Sequence, residues 1–122
     1  MSTAVNKSPI TTHILDTATG LPAKNVPVTL FQLTDDSWQQ IAQGTTNQDG
    51  RIADWLSDKT IDFGTYKLKF DLDAYFSQIS EQNSDTSPFY PFAEICFRLQ
   101  DQRHHHIPLL LSPFGYSTYR GS

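Results

Sequence analysis

The chain has little cysteine, no excess of basic residues and no long apolar run, and each shortage excludes a class of protein. Its 122 residues include one cysteine, Cys96, so an intrachain disulfide framework is impossible. Nine Lys and Arg against 13 Asp and Glu give a net charge of -4, which argues against a nucleic-acid or anionic-membrane partner. No window approaches the roughly 18 apolar residues of a membrane-spanning helix. A soluble globular protein with a small-molecule or protein partner fits this composition.

The beginning of the chain predicts its location and its domain organisation. Residues 1–9 are polar and lack the apolar core of a secretory signal peptide, which predicts a cytoplasmic protein. We expect this segment to be flexible and residues 10–122 to form a single domain, since that length supports one hydrophobic core. Cys96 lies in an alternating apolar segment, where a structural role is expected more often than a catalytic thiol.

Alternating apolar and polar residues predict a protein built mainly from strands. Side chains that alternate between two faces are typical of a strand with one buried face. Asp49-Gly50 predicts a tight turn, because glycine readily adopts positive φ. We expect the turn at 101–102 to return the preceding strand as a hairpin. The predicted strands are residues 10–15, 26–33, 38–46, 65–70, 93–99 and 104–111.

One segment has a different period and predicts the only helix. Apolar residues at 72, 75, 76 and 79 follow the spacing of a helical face, and Asp71 is a suitable N-cap. Seven or eight short strands with a single helix indicate an all-β fold, an antiparallel β-sandwich.

Three consecutive histidines are the first candidates for chemistry. In a strand, His104 and His106 share one face, while His105 shares the other with the apolar Ile107 and Leu109. His105 is therefore expected to face the core. The other two histidines could be merely solvated, could chelate zinc from positions i and i+2, or could act in acid–base catalysis near pKa ~6.5.

Other candidate residues have ordinary explanations when each is taken alone. His13 could be a strand residue bonded to a carbonyl, and Arg51 could be a solvated loop charge. As a fixed guanidinium, Arg51 could instead polarise a carbonyl or hold a planar heterocycle. The closing residues 119–122 would be a frayed tail in most proteins.

Four segments in the same order resemble the 5-hydroxyisourate hydrolase family, the transthyretin-related proteins of purine catabolism. The closing Tyr-Arg-Gly-Ser distinguishes that enzyme family from transthyretin, the hormone carrier with the same fold. One departure is visible, because His105 stands where the family commonly has tyrosine. The four segments are 11–16 (TTHILD), 46–51 (TNQDGR), 104–113 (HHHIPLLLSP) and 119–122 (YRGS).

The resemblance implies a fold, a reaction and a set of site residues. The fold would be a transthyretin-like sandwich of two four-stranded sheets with one short helix. The reaction would be hydrolysis of 5-hydroxyisourate to 2-oxo-4-hydroxy-4-carboxy-5-ureidoimidazoline, without a metal or an organic cofactor. Catalysis would involve His13, Arg51, His106 and Ser122, and substrate binding would involve His13, Arg51 and Tyr119. The assembly would be a homotetramer, a dimer of dimers whose active sites open into a central channel.

Two other functions remain open at the level of sequence. The first is a non-catalytic, transthyretin-like carrier of a small ligand, although a channel lined by His, Arg and Ser suits a urate-like heterocycle better than an aromatic hormone. The second is a zinc hydrolase in which His13, His104 and His106 hold the metal.

Overall fold

Two β-sheets share one hydrophobic core. The computed structural model describes residues 8–56, 60–79 and 88–121. The first sheet contains β1 (Ile10–Asp16), β2 (Leu21–Pro22), β5 (Arg51–Ile52), β8 (His105–Ser112) and β9 (Gly115–Thr118). The second contains β3 (Pro27–Thr34), β4 (Ser37–Thr45), β6 (Gly64–Asp71) and β7 (Phe92–Leu99), in the order β4-β3-β6-β7.

The core consists of the apolar side chains on the inner face of each sheet. In the first sheet, Ile10, Ile14 and Leu109 are fully buried, and in the second sheet so are Leu30 and Leu68. The alternation seen in the sequence therefore corresponds to burial. Each strand of the sandwich presents its remaining side chains outward, and this outer surface is where a site can form.

Helix α1 (Leu72–Ile79) follows β6 directly, as the period of the sequence predicts. The Asp71 carboxylate accepts a hydrogen bond from the Ala74 backbone N–H (3.0 Å), which confirms the predicted N-cap. Tyr75 donates its hydroxyl proton to the buried Asp16 carboxylate at 2.7 Å. This bond ties the helix to the end of β1. The described residues contain no helix that is long and apolar enough to cross a membrane.

The all-β fold class is confirmed, with two differences of detail. The first sheet has five strands rather than four, and two of them, β2 and β5, are only two residues long and pair with β1. The strands are not all antiparallel, since β1 and β8 run parallel from the Ile10–His105 pair to the Asp16–Leu111 pair. A parallel pair needs a long connection, and here the entire second sheet lies between these two strands in the sequence.

The predicted hairpin at residues 101–102 is wrong. Strand β7 pairs with β6 in the second sheet, whereas the following β8 pairs with β1 and β9 in the first. The connection therefore crosses from one sheet to the other. It is stabilised by Asp101, which accepts hydrogen bonds from the backbone N–H and the guanidinium of Arg103. Both types of connection join two strands of alternating pattern, so the sequence does not distinguish them.

The segment expected to be flexible is described only at its end. Residues 1–7 lie outside the described residues. Ser8 is buried, and its hydroxyl donates to the Ile10 carbonyl at 2.6 Å. The division into a flexible segment 1–9 and a domain 10–122 stays a prediction.

Candidate active site

Strand β1 brings three separate parts of the chain together. It lies between β5 and β8, with His13 opposite Arg51 on one side and Thr11 opposite His106 on the other. Residues directly opposite each other on neighbouring strands point to the same face of a sheet. Because Ile14 points into the core, these four side chains lie on the outer face. The alternation of side chains along β1 and the registers of its pairing with β5 and β8 thus bring the four side chains together.

Arg51 is positioned by the tight turn that precedes it. The Asn47 side-chain oxygen accepts hydrogen bonds from the backbone N–H groups of Asp49 (2.9 Å) and Arg51 (3.1 Å). Gly50 has φ of 75°, and its carbonyl accepts a hydrogen bond from the Ile14 N–H at 2.8 Å. A Cβ at Gly50 would lie 2.6 Å from the Ile14 carbonyl oxygen. Both the conformation and the close approach to β1 therefore require glycine.

The two imidazoles of the cluster are close and nearly parallel. The ring centroids of His13 and His106 are 6.5 Å apart, with 24° between their planes. Burial, followed by the charge of Arg51, lowers the pKa of His13 below its ordinary 6.5, although Asp49 partly opposes this change. Burial also lowers the pKa of His106, together with the charges of His104, Arg51 and His13. A lowered pKa favours the neutral form of both imidazoles, which is the form that can accept a proton.

A hydroxyl group links His106 to a third histidine. Thr11 Oγ1 lies 2.7 Å from His106 Nδ1 and 2.7 Å from His104 Nε2. Thr11 is 6% exposed, so its hydroxyl is largely shielded from water. His105 points the opposite way, as predicted, and is buried with its Nδ1 2.7 Å from the Arg103 carbonyl oxygen. The residue at the position of the family's tyrosine thus faces the core, away from the cluster.

The end of the chain returns to the side of His106. The Gly121 N–H donates to the His106 carbonyl at 2.9 Å, in an isolated antiparallel bridge. Tyr119 lines a groove of about 610 Å³ that also includes His106 and residues of β7, but neither His13 nor Arg51. In the isolated chain, Tyr119 therefore shares a groove with His106 but not with His13 or Arg51. Ser122 lies outside the described residues.

Two site residues, Thr11 and Gly121, were not singled out from the sequence. Thr11 shares a strand face with His13, so alternation alone could have placed it beside the site. Its contact with His106 depends on the pairing of β1 with β8, which the sequence does not reveal. Gly121 belongs to the closing motif, but the reason for a glycine is the nearness of the His106 ring.

The described residues contain no group of three or more His, Cys, Asp or Glu side chains arranged to hold a metal ion. His104 and His106 instead each direct a ring nitrogen to the Thr11 hydroxyl. The described residues therefore offer no ready-made set of ligands for the zinc hydrolase hypothesis. A chelator test of activity decides it.

Comparison with known proteins places the chain in a family. The model of the HIUase/transthyretin family matches residues 10–121. The chain belongs to this family. Its relatives include the mouse 5-hydroxyisourate hydrolase, which is 41% identical over 98% of this chain and 99% of the mouse protein.

Solved structures similar to this chain include both a 5-hydroxyisourate hydrolase and a thyroxine-bound transthyretin. The Klebsiella pneumoniae 5-hydroxyisourate hydrolase has a TM-score of 0.78 and 36% identity, covering 93% of this chain and 98% of that one. Sea bream transthyretin in complex with thyroxine has a TM-score of 0.82 and 35% identity, covering 93% and 94%. The shared backbone confirms the transthyretin-like fold. It does not separate the two functions, so the site residues must do so.

Proposed function

We propose that this member of the HIUase/transthyretin family hydrolyses 5-hydroxyisourate to 2-oxo-4-hydroxy-4-carboxy-5-ureidoimidazoline. The observation that carries the proposal is the cluster of two imidazoles and one guanidinium on the outer face of the first sheet. A planar, polar heterocycle with several carbonyl groups suits such a surface better than an apolar ligand does. The 41% identity to the mouse hydrolase, over almost the full length of both chains, supports the same reaction.

In the proposed mechanism, water opens the six-membered ring of the substrate. One imidazole, of His106 or His13, takes a proton from the water as its oxygen attacks the ring carbonyl carbon next to a ring nitrogen. The bond between that carbon and nitrogen then breaks, and the imidazolium returns its proton to the nitrogen. A positioned proton-transfer group of this kind contributes about 10²–10⁴-fold to a rate. The lowered pKa of both imidazoles keeps them unprotonated for the first step.

Arg51 has the electrostatic role in this mechanism. Negative charge builds up on the carbonyl oxygen as water attacks, and a guanidinium beside it stabilises that charge. Removing such a donor typically costs about 10²–10³-fold in kcat. The turn closed by Asn47 holds the backbone of Arg51 in place before substrate arrives, which reduces the cost of ordering the side chain.

Ser122 and Tyr119 are proposed to complete the site. Gly121, the residue before Ser122 in the sequence, is bonded to the backbone of His106, and this contact supports a role for the chain end. Either the hydroxyl or the terminal carboxylate of Ser122 could orient the water or an imidazole. Tyr119, which is 59% exposed and lines a groove with His106, is proposed to bind substrate.

We also propose a homotetramer, a dimer of dimers in which the outer face of the first sheet becomes the wall of a channel. Within the described residues, β7 and β9 each pair along one edge, which leaves the other edge open to a second copy. Phe89, Tyr90 and Tyr116 form an exposed edge-to-face cluster near these strands, and Phe114 is 74% exposed. Exposed aromatic clusters of this kind mark association surfaces. Light scattering should give four times the chain mass, whereas a monomer would contradict the assembly.

The direct test of the reaction follows the ultraviolet absorbance of freshly made 5-hydroxyisourate in EDTA. The protein should speed its disappearance well beyond the spontaneous rate and yield the carboxylated, ring-opened product. A carrier would bind the compound without changing its decay, and a zinc hydrolase would lose activity in the chelator. The cytoplasmic location and the absence of a cofactor stay predictions.

A further inference from the structure

The contact between Thr11 and two histidines has no role in the mechanism described so far. Thr11 Oγ1 lies 2.7 Å from both His106 Nδ1 and His104 Nε2, and it is nearly buried. His106 Nε2, on the opposite edge of the ring, is bonded to no other described residue. The ring therefore has one nitrogen committed to Thr11 and one available to a substrate or a water molecule.

The chemistry of a hydroxyl group restricts the protonation of both rings. A threonine hydroxyl has a single proton to donate and lone pairs with which to accept. It cannot donate to both ring nitrogens, so at least one of the two must carry a proton. If Thr11 donates to His104 Nε2, its lone pair faces His106 Nδ1, and that nitrogen must hold the proton. The neutral His106 ring then has an unprotonated Nε2.

We propose that Thr11 is a positioning residue that fixes neutral His106 with its proton on Nδ1, while His104 accepts the proton of the Thr11 hydroxyl. This inference rests on the proposed hydrolysis and names His106 Nε2 as its base. During the reaction, Nε2 takes the proton of water while Nδ1–H keeps its bond to Thr11. Nε2 then gives that proton to the departing ring nitrogen. Thr11 and His104 keep their own protons throughout.

The chain offers a matched pair of substitutions. Thr11→Val removes the bridging hydroxyl while conserving side-chain volume, and Thr11→Ser retains the hydroxyl. Thr12→Val removes a neighbouring buried hydroxyl, which donates to the Ile107 carbonyl at 2.7 Å on the core side of β1. It therefore controls for a general loss of stability without touching either histidine.

The test that needs no substrate is ¹⁵N NMR of histidine-labelled protein at a pH where the rings are neutral. In the wild-type protein, and in the Thr11→Ser and Thr12→Val variants, we expect the proton of His106 on Nδ1 and the proton of His104 on Nδ1. In Thr11→Val, a large share of His106 should move its proton to Nε2. A proton on Nε2 of either ring in the wild-type protein overturns the proposal, as does an unchanged His106 tautomer in Thr11→Val.

Kinetics add a second, separable readout. Thr11→Val should lower kcat about tenfold, which corresponds to the loss of roughly one hydrogen bond, with little change in KM. The kcat of Thr11→Ser and of Thr12→Val should stay within about twofold of the wild-type value. An unchanged kcat in Thr11→Val contradicts the positioning role. If the wild-type protein does not open the ring at all, the proposed function fails, but the NMR spectra still decide whether Thr11 sets the tautomer.

Discussion

Gly121→Ala is a small change that should disable the site by displacing His106. The backbone of Gly121 is not in the left-handed region, so alanine causes no conformational strain there. Its Cβ, however, would lie 2.7 Å from His106 Cδ2 and 3.3 Å from Cγ. Carbon atoms in good contact are about 3.5–4.0 Å apart, so the overlap is roughly 1 Å. Either the tail must leave the His106 backbone, or the ring must move.

Both ways of relieving the overlap damage the proposed mechanism. A misplacement of about 1 Å in a catalytic group can cost about a hundredfold in rate, so kcat should fall by that order. The stability cost should be smaller, at most about 1–3 kcal/mol, as for other overpacked contacts. The measurements are 5-hydroxyisourate decay at saturating substrate and urea unfolding of the same samples.

Gly115→Ala is the matched control for this experiment. Gly115 is the first residue of β9, which forms a hairpin with the His106 strand β8, and its Cβ would meet only Ser112 Oγ at an ordinary 3.9 Å. This variant should keep wild-type activity and stability. If folded Gly121→Ala protein keeps kcat within about twofold of the control, the close contact of Gly121 does not position the His106 ring for the proposed reaction.

Two further predictions follow from the electrostatics and the core. Arg51→Gln should lower kcat by about 10²–10³-fold. It should also move the acid limb of the kcat/KM–pH profile to higher pH, because the Arg51 charge lowers the pKa of both site imidazoles. Arg51→Lys retains the charge and should keep that limb near the wild-type position, so an equal displacement in both variants would show that the charge is not the cause. Tyr75→Phe should lower the free energy of unfolding by about 1–3 kcal/mol, measured in urea, because the buried Asp16 carboxylate loses a 2.7 Å donor. Its kcat should stay unchanged, since this bond lies away from the site, and an unaltered unfolding midpoint would show that the bond contributes nothing net.

Local features of the fold could be predicted from the sequence because they depend on neighbours in the chain. The alternation in β6 separates buried Tyr66 and Leu68 from Lys67, and the helix begins where Asp71 caps it. These patterns reflect which face of each element is buried. The orientation of His105 toward the core could be predicted in the same way.

Long-range pairing could not be predicted from those patterns. The parallel pair β1–β8 joins strands separated by most of the chain, and nothing in either strand identifies its partner. The contact of Thr11 with His106 and His104, and the closeness of Gly121 to the His106 ring, follow only from that pairing. The family motifs indicated which residues matter, whereas the register explains how they meet.

In the proposed mechanism, β1 brings His13, Arg51 and His106 together so that an imidazole can activate water. The most direct measurement is the kcat/KM–pH profile of His13→Asn and of His106→Asn, with 5-hydroxyisourate as the substrate. We expect a large loss of activity in both variants. In the variant lacking the base, we also expect residual activity that no longer shows the acid limb below pH 6.5. Wild-type rates and wild-type profiles in both variants would contradict the proposed mechanism.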